Sequence, residues 1–297
     1  MGRGGLNGYM EDSYPFRPLG LVRSCYTGKF GIPRQPGLVT AAEARLELFA
    51  EFAREEVFAG LEGFSHLWLL FVFHDAIAEG WRPTVRPPRL GGRRKVGVFA
   101  SRSPHRPNPI GLSAVEFRGF VRGFDREGGG KGGLALRLGG VDLLDGTPVL
   151  DIKPYVPYAD CLPQASSGFV PPPTDQEREV VFSPQALAQA HQLSQARAPF
   201  QRRVPAQRQV STQPQVLAQT QALAQTQTEE LEQAAAPDDE RHLVDLVTQV
   251  LRQDPRPGYM DRYPERQDFA LRLYDLEVRW RENQGRILVT AVDPVGD

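Results

Sequence analysis

Apolar and polar residues alternate in six short stretches along the first half of the chain. Glycine, proline or aspartate bounds each stretch, and these residues interrupt regular structure. The run LWLLFVF at residues 67–73 is continuously apolar, which favours a central strand covered on both sides. Many short strands separated by turns favour a β-barrel or a strongly curved sheet. The strand-like stretches are residues 16–26, 44–52, 64–74, 94–101, 111–124 and 134–144.

A different pattern governs the C-terminal part of the chain. Between residues 238 and 255, apolar residues recur at helical spacing behind an acidic first turn, and Pro255 follows the last of them. Residues 269–294 then contain two strand patterns joined by Asn283-Gln284-Gly285, which predicts a β-hairpin. In the first half, residues 54–64 predict one short helix. The apolar positions of the C-terminal helix are Leu243, Leu246, Val247, Val250 and Leu251.

A glutamine-rich segment separates these two parts. Residues 185–233 contain fourteen glutamines and the tandem echo LAQTQALAQTQT. Such a polar stretch has little apolar surface to offset its ordering entropy, although residues 183–195 could form a marginal helix. The predicted fold class is therefore mainly β, with a β-barrel, a low-complexity insertion and a small C-terminal α+β domain. The predicted boundaries are a disordered tail at 1–15, a barrel at 16–175, a linker at 176–236 and the α+β domain at 237–297.

The composition of the 297-residue chain is that of a globular protein, with 40% hydrophobic residues. The longest apolar run is far shorter than a membrane span, and no secretory signal pattern opens the sequence. Two cysteines, Cys25 and Cys161, are too few for a disulfide framework or a zinc knuckle. We therefore expect a cytoplasmic protein that does not associate with membranes.

Positive charge is concentrated in one segment, although the net charge is only −1. Residues 82–106 hold seven arginines and one lysine and no acidic residue. Prolines and Trp81 interleave with these charges. Basic and aromatic side chains together suit an RNA-facing groove, because they neutralise phosphates and stack on bases. The predicted RNA contacts are Arg82, Arg86, Arg89, Arg93, Arg94, Lys95 and Arg106.

Two proline-framed segments are candidates for ligand binding. Three prolines between residues 104 and 109 fix an extended path from which Arg102, His105, Arg106 and Asn108 project. In residues 33–36, Pro33 and Pro36 flank Arg34 in the same way. Arginine suits carboxylate or phosphate because its planar fork donates two parallel hydrogen bonds. A stiff, solvated connector is the alternative, but it would need neither this density of prolines nor this local basicity.

Histidines and aspartates supply the remaining candidate chemistry. His66 and His74 stand roughly 26 Å apart on an extended strand, so they cannot share a metal ion, and we predict no metal site. His66 is best explained as a hydrogen-bonded residue at a strand end. His74, followed by Asp75, lies where sheet proteins often place ligand groups. Asp145-Gly146 is an ordinary turn signal, but carboxylates in this region could also accept hydrogen bonds from ribose hydroxyls or take a proton.

Taken together, these segments resemble the TrmO family of TsaA-like proteins. The resemblance spans most of residues 16–175 in the family's order, and DPRPGY and VRW echo its C-terminal portion. The segments that carry the resemblance are 33–39, 63–68, 71–74, 80–92, 97–100, 102–113, 145–148 and 151–155.

The resemblance implies a TsaA-like β-barrel that acts as a homodimer and uses S-adenosyl-L-methionine to methylate transfer RNA. The implied target is N6 of adenosine-37 in the anticodon stem-loop, on a base that already carries a threonylcarbamoyl group. The implied cofactor-binding residues are Pro33, Arg34, Gln35, His74, Asp75, Arg102, Leu112, Gly140, Val141, Asp142 and Asp145.

The chemistry of adenine N6 identifies two candidate catalytic residues. Its lone pair is delocalised, and an attached carbamoyl group makes the N–H more acidic, so removal of that proton should matter. We hypothesise that His74 or Asp145 assists deprotonation, while orientation supplies most of the rate. Either Arg34 or Arg102 is expected to bind the cofactor carboxylate.

Two other classes of protein stay open from the sequence alone. A non-catalytic module that binds S-adenosylmethionine and RNA would bind both without transferring a methyl group. A metal-dependent nuclease or hydrolase is the more distant alternative, because no cluster of carboxylates and histidines has plausible ligand spacing.

Overall fold

A closed six-stranded barrel forms the N-terminal half of the protein. The computed structural model describes residues 14–87, 94–124, 133–170, 178–197, 238–256, 260, 263, 265–283 and 285–295. The barrel strands are β1 (Gly20–Ser24), β2 (Glu43–Leu48), β3 (His66–Val72), β6 (Ile110–Phe124), β7 (Gly133–Gly139) and β8 (Pro148–Pro154). Their order around the barrel is β1-β2-β7-β6-β3-β8, and every neighbouring pair is antiparallel. The predicted mainly β, barrel-containing fold is confirmed.

Side chains in the barrel strands alternate between the core and the outer surface. In β2, Ala44, Leu46 and Leu48 are buried, whereas the residues between them are half-buried. The apolar run in β3 also alternates: Leu67, Leu69 and Phe71 face the core, and the intervening residues are only partly covered. The predicted cover on both faces of β3 is therefore complete on the inner face and partial on the outer face. Its continuous apolar character leaves an apolar strip on the outside of the barrel.

Short elements between the strands differ from the sequence prediction. The predicted helix over residues 54–64 is wrong, because Gly60, with a φ of 86°, separates two 3₁₀ turns at Glu55–Phe58 and Leu61–Gly63. The predicted strand over 94–101 is reduced to β5 (Val96–Gly97), which pairs with β4 (Thr84–Val85). A 3₁₀ turn at Val98–Ala100 follows.

The C-terminal unit is a four-stranded sheet covered by helices. After the short helix α1 (Pro157–Asp160), it contains β9 (Glu179–Phe182), α2 (Pro184–Arg197), α3 (Asp238–Arg252), β10 (Asp268–Leu273), β11 (Leu276–Asn283) and β12 (Arg286–Pro294). The strand order is β10-β11-β12-β9, and only β12 and β9 are parallel among these described strands. Helix α3 buries all five predicted apolar positions, so this helix is confirmed.

The boundaries of the predicted linker differ from the structure. Strand β9 completes the C-terminal sheet, and α2 buries Ala186 and Ala190 in the core. Part of the segment predicted as a linker at 176–236 therefore belongs to the folded C-terminal unit. The rest of it, from residue 198 onward, and residues 1–13 of the predicted tail lie outside the described residues. Within the described chain, no helix is long and apolar enough to cross a membrane.

Candidate active site

Four connecting segments converge at one end of the barrel. They are the loop between β1 and β2, the 3₁₀ turn at His74–Glu79 after β3, the proline-framed segment before β6, and the segment between β7 and β8. The Phe73 N–H donates to the carbonyl of Pro109 at 2.8 Å, which fixes the turn against the proline-framed segment. Gly111 of β6 lets the ring of Phe71 lie directly against the strand, because any Cβ at this position would overlap that ring.

A cavity of about 640 Å³ lies between these segments. This volume falls in the range of small-molecule and cofactor sites, roughly 300–1,000 Å³. Its walls combine apolar and aromatic side chains with charged groups. Of the predicted cofactor residues, eight line it: Pro33, Arg34, Gln35, His74, Asp75, Arg102, Leu112 and Asp142.

Two cations stand at the cavity without a carboxylate partner. Arg34 and Arg102 are both exposed, and neither forms an ion pair with any residue that the structure describes. Arg102 donates instead to the side-chain carbonyl of Gln35, which joins the two proline-framed segments across the cavity. Because an unpaired guanidinium presents several donors in one plane, this arrangement suits an anionic group on a ligand.

Asp142 is the cavity's partly buried carboxylate. The Ser113 hydroxyl, itself buried, donates to Oδ1 of Asp142 at 2.6 Å. Burial raises the pKa of Asp142 from 3.8 to about 6, although the Ser113 hydrogen bond and the charge of Arg102 act in the opposite direction. Asp142 is thus an acceptor held in place for hydroxyl or amine donors of a ligand.

His74 borders the cavity beside a small network of charges. Its Nε2 atom lies 3.6 Å from Oδ1 of Asp75, and its side chain is 30% exposed. Lys29 bridges Asp75 at 4.0 Å and Glu79 at 3.5 Å. The His74 ring thus lies at the cavity beside a carboxylate, an arrangement that suits a proton acceptor.

Arg106 is placed differently from the other predicted RNA contacts. It lines the cavity, and its Nη1 atom donates to the carbonyls of Ser101 at 2.7 Å and Val98 at 3.3 Å. Its guanidinium also lies 5.6 Å from the centre of the Phe99 ring. These contacts brace the proline-framed segment from within.

The basic surface continues away from the cavity. Arg82 pairs with Glu79 at 3.4 Å, and Arg86, Arg94 and Lys95 form no ion pair within the described part of the chain. Trp81 and Phe99 expose 58% and 76% of their surface nearby in the sequence. The predicted contacts Arg89 and Arg93 lie outside the described residues.

Three predicted cofactor residues do not line the cavity. Val141 is fully buried in the core. The Gly140 carbonyl accepts from the N–H of Gly37 at 2.8 Å, and with a φ of 63° Gly140 shapes a close contact that a larger residue would obstruct. Asp145 points towards β1, where it accepts from the N–H of Ser24 at 2.9 Å and lies 3.8 Å from Arg23. Asp145 thus stabilises the turn after β7 instead of facing the cavity.

Several cavity residues were missed by the sequence analysis. Ser113 occupies an inward position of β6 between buried Gly111 and Val115, and a polar residue there needs a buried partner, which is a signal that could have identified it. His105, which the sequence placed on a candidate binding segment without assigning it to the cofactor, lines the cavity with a buried Nδ1 that has no partner among the described residues. The other missed wall residues with distinct chemistry are Lys29, Trp68, Phe71, Phe73, Glu79, Leu143, Leu144 and Thr147.

The described residues contain no group of three histidine, cysteine, aspartate or glutamate side chains arranged to hold a metal ion. The cavity is lined instead by cationic side chains, the carboxylates of Asp75, Glu79 and Asp142, hydroxyl groups and aromatic rings. Together, the fold and site define a barrel protein with a binding cavity for a charged, partly apolar small molecule.

Comparisons with known proteins then define the family. The tRNA-methyltransferase O N-terminal domain matches residues 21–161, and the TrmO C-terminal domain matches residues 205–295. The tRNA (adenine(37)-N6)-methyltransferase of Escherichia coli strain K12 is 39% identical over 95% of this chain and 99% of its own. A Pseudomonas aeruginosa protein named as an S-adenosylmethionine-dependent methyltransferase is 43% identical over 89% of this chain and 90% of its own.

A solved structure agrees with this result. The crystal structure of TrmO from Pseudomonas aeruginosa matches with a TM-score of 0.63 and 36% sequence identity, covering 95% of this chain and 99% of that one. This chain belongs to the TrmO family.

Proposed function

We propose that this protein is a tRNA (adenine(37)-N6)-methyltransferase that uses S-adenosyl-L-methionine. The observation that carries the proposal is the cavity with its two unpaired arginines and its partly buried Asp142, in a chain of the TrmO family. The Escherichia coli enzyme that carries this activity in its name matches along 95% of this chain.

The cavity residues fit the chemical groups of the cofactor. Arg34 and Arg102 suit its carboxylate, and Asp142 suits its ribose hydroxyls. The aromatic and aliphatic walls suit an adenine ring. When bound, S-adenosylmethionine supplies an electrophilic methyl group. The protein's part is to hold the acceptor nitrogen in line with that group, since orientation alone contributes a large part of such a rate enhancement.

His74 is the proposed proton acceptor for adenine N6. It lines the cavity, whereas Asp145, the other candidate from the sequence, is engaged with Ser24 and Arg23. His74 would accept the N6 proton on a ring nitrogen, and the bound cofactor would supply the methyl group to N6 with cleavage of its carbon–sulfur bond. Asp75, whose Oδ1 lies 3.6 Å from Nε2 of His74, stabilises the positive charge that His74 then carries.

The RNA is proposed to approach along the basic surface next to the cavity. Arg82, Arg86, Arg94 and Lys95, together with Arg89 and Arg93, would neutralise phosphates of the anticodon stem-loop. A base in the anticodon loop is already partly unstacked, so presenting it to the cavity costs less than extracting it from a duplex. We place this activity in the cytoplasm, and we propose an adenosine that already carries threonylcarbamoyl as the substrate.

A homodimer is the proposed assembly. Trp68, Leu70 and Val72 of β3 pair in register with the segment of β6 that contains Ile110 and Leu112, which are 39% and 53% exposed. This apolar strip borders the cavity, so a second copy packed on it would complete the cavity wall. Sedimentation of a species at twice the chain mass of 33.0 kDa would support the dimer, and a monomer at micromolar concentration would contradict it.

The function is tested by incubating the protein with methyl-labelled S-adenosylmethionine and transfer RNA, with and without threonylcarbamoyl on adenosine-37. The labelled nucleoside is then identified after digestion. Label at N6 of the modified adenosine supports the proposal and its substrate order. Binding of cofactor and RNA without transfer of label would instead support a non-catalytic binding module.

A further inference from the structure

The loop between β1 and β2, residues 25–41, forms one wall of the cavity. Turns and bends make up this cavity loop, which contains no helix or strand and lies wholly within the described residues. It places Pro33, Arg34 and Gln35 against the cavity, together with Lys29 and Ile32. Because the loop lacks a regular hydrogen-bond ladder, something else must determine its position.

The C-terminal unit contacts the cavity loop at both ends and in the middle. At the first end, the Tyr274 N–H donates to the carbonyl of Cys25 at 2.7 Å, and Thr27 donates to the Tyr274 carbonyl at 2.7 Å. In the middle, Gly31 lies against Leu271 and Val250, so that a Cβ there would be 3.6–3.7 Å from their side chains.

At the second end, the contact comes from one side chain of helix α3. Oε1 of Gln249 accepts from the N–H of Ala41 at 3.1 Å and from the hydroxyl of Thr40 at 3.2 Å. Just before this point, the Gly37 N–H donates to Gly140 at 2.8 Å. Gln249 therefore connects the C-terminal unit to the part of the loop that follows Gln35.

A second cavity, of about 160 Å³, lies on the other side of the same loop. It shares Lys29, Ile32, Pro33 and Arg34 with the large cavity, and the end of α3 and the residues after it form its opposite wall. Residues 29–34 thus separate two cavities, and within them Gly31 and Pro33 are buried while Ile32 packs against the core. A segment with a cavity on each side depends on these few contacts and on its anchored ends for its position.

We infer that Gln249 is a positioning residue through which the C-terminal unit holds the Pro33-Arg34-Gln35 wall in its binding geometry. Gln249 is not among the residues that line either cavity, and it acts through Ala41 and Thr40. The inference rests on the proposed function only for the identity of the cofactor. The effect of Gln249 on the position of the loop does not depend on that identity.

The test compares Gln249→Leu and Gln249→Glu, with Asp245→Ala as the control on an exposed position of the same helix. S-adenosylmethionine affinity is measured by calorimetry, and trypsin cleavage after Lys29 and Arg34 reports the order of the wall. In Gln249→Leu we expect affinity to fall about tenfold, the effect of one well-made hydrogen bond, and cleavage at Arg34 to accelerate. Gln249→Glu keeps an acceptor oxygen and restores both properties, and Asp245→Ala changes neither.

The melting temperature separates positioning from general stability. A Gln249→Leu protein with wild-type affinity and wild-type cleavage at Arg34 would overturn the inference. So would a loss of affinity that follows the melting temperature and is not restored in Gln249→Glu. If the wild type binds no S-adenosylmethionine, the proposed function fails, and the cleavage rates alone then decide the role of Gln249.

Discussion

Arginines serve opposite purposes at two regions of this molecule, the C-terminal sheet and the barrel cavity. Five arginines of the C-terminal unit are paired with carboxylates at 2.6–3.2 Å; these are Arg178, Arg256, Arg279, Arg281 and Arg286. At the barrel cavity, Arg34 and Arg102 have no such partner among the described residues. A net charge of −1 therefore hides a local excess of positive charge where an anionic ligand would bind.

Ion-paired arginines belong to the fold, whereas arginines without a carboxylate partner are available to a ligand. Exposed ion pairs contribute little to stability, typically about 0–1 kcal/mol, but they do neutralise charge. A cation without a partner keeps its full capacity for a ligand. We therefore expect substitutions at the cavity to change binding or turnover, and substitutions in the C-terminal pairs to change neither.

The largest effect is expected at the candidate proton acceptor. His74→Ala should lower kcat by about 10²- to 10⁴-fold, the usual contribution of general acid–base catalysis, with little change in cofactor affinity. Single-turnover methyl transfer and calorimetry measure the two quantities. His66→Ala, at the other end of β3, is the control, since His66 contacts Ser65 and Tyr155 outside the cavity. Wild-type turnover in His74→Ala would remove it from the mechanism.

Asp145 provides the contrasting case within the same set of candidates. Because its carboxylate accepts from the Ser24 N–H, Asp145→Ala should lower the free energy of unfolding by about 1–3 kcal/mol. Activity should fall only as far as the folded fraction falls, which chemical denaturation and turnover measured together will show. A fall in kcat with an unchanged free energy of unfolding would restore Asp145 as the base.

The next largest effect concerns the unpaired cations. Arg102→Ala should weaken S-adenosylmethionine binding by about 10- to 100-fold, since hydrogen bonds to a charged group contribute roughly 1.5–3 kcal/mol. The melting temperature should change little because Arg102 is exposed. Arg281→Ala, which removes an arginine paired with Asp268, is the matched control and should bind normally. Equal losses of affinity in the two variants would contradict the division of roles between cavity arginines and ion-paired arginines.

The barrel itself could be predicted from local pattern, whereas its strand order could not. Alternation and turn residues locate most of the strands, but the pairing of β1 with β8 joins residues far apart in the sequence. The predicted start of the linker differs from the structure for a related reason. Helix α2 buries only the small side chains of Ala186 and Ala190 fully among its apolar residues, with Leu193 partly buried, and its stability comes from packing that local composition does not reveal.

The site was predictable as separate segments but not as an arrangement. The proline-framed segments and the His74 turn were recognised individually, and eight of the cofactor residues implied by the family resemblance do line the cavity. Sequence could not separate Asp142 from Asp145, which lie three positions apart on one turn. The direction of each carboxylate depends on partners in other strands, namely Ser113 for the first and Ser24 for the second.

Asp142 should show opposite effects on stability and on binding. Its folded-state pKa of about 6 exceeds the ordinary value of 3.8, so the folded protein binds more protons than the unfolded chain between these values. Stability contributed by this group is therefore full below pH 3.8 and is lost as the pH rises through 6. Asp142→Asn should melt at a higher temperature than the wild type at pH 7.5, and at about the same temperature near pH 4.

Cofactor binding should respond in the other direction. Replacing the carboxylate weakens a charge-assisted acceptor, so Asp142→Asn should bind S-adenosylmethionine about tenfold more weakly at pH 7.5. Asp151→Asn is the control, because Asp151 pairs with Lys153 and does not line the cavity. A variant that is both less stable and weaker in binding would show that Asp142 holds the fold in the manner of Asp145.

The smallest effects are expected on the basic surface, where each side chain contributes one phosphate contact among several. Arg94→Ala and Arg86→Ala should each weaken transfer RNA binding by a few-fold and lower the slope of log affinity against log salt by about one. Cofactor affinity should stay unchanged, since neither residue lines the cavity. Arg286→Ala, paired with Glu179 on the C-terminal sheet, is the control with the same change in net charge. An equal fall of the salt slope in Arg286→Ala would show that ion-paired arginines also contact RNA. The contrast between unpaired and ion-paired arginines would then hold only for cofactor binding.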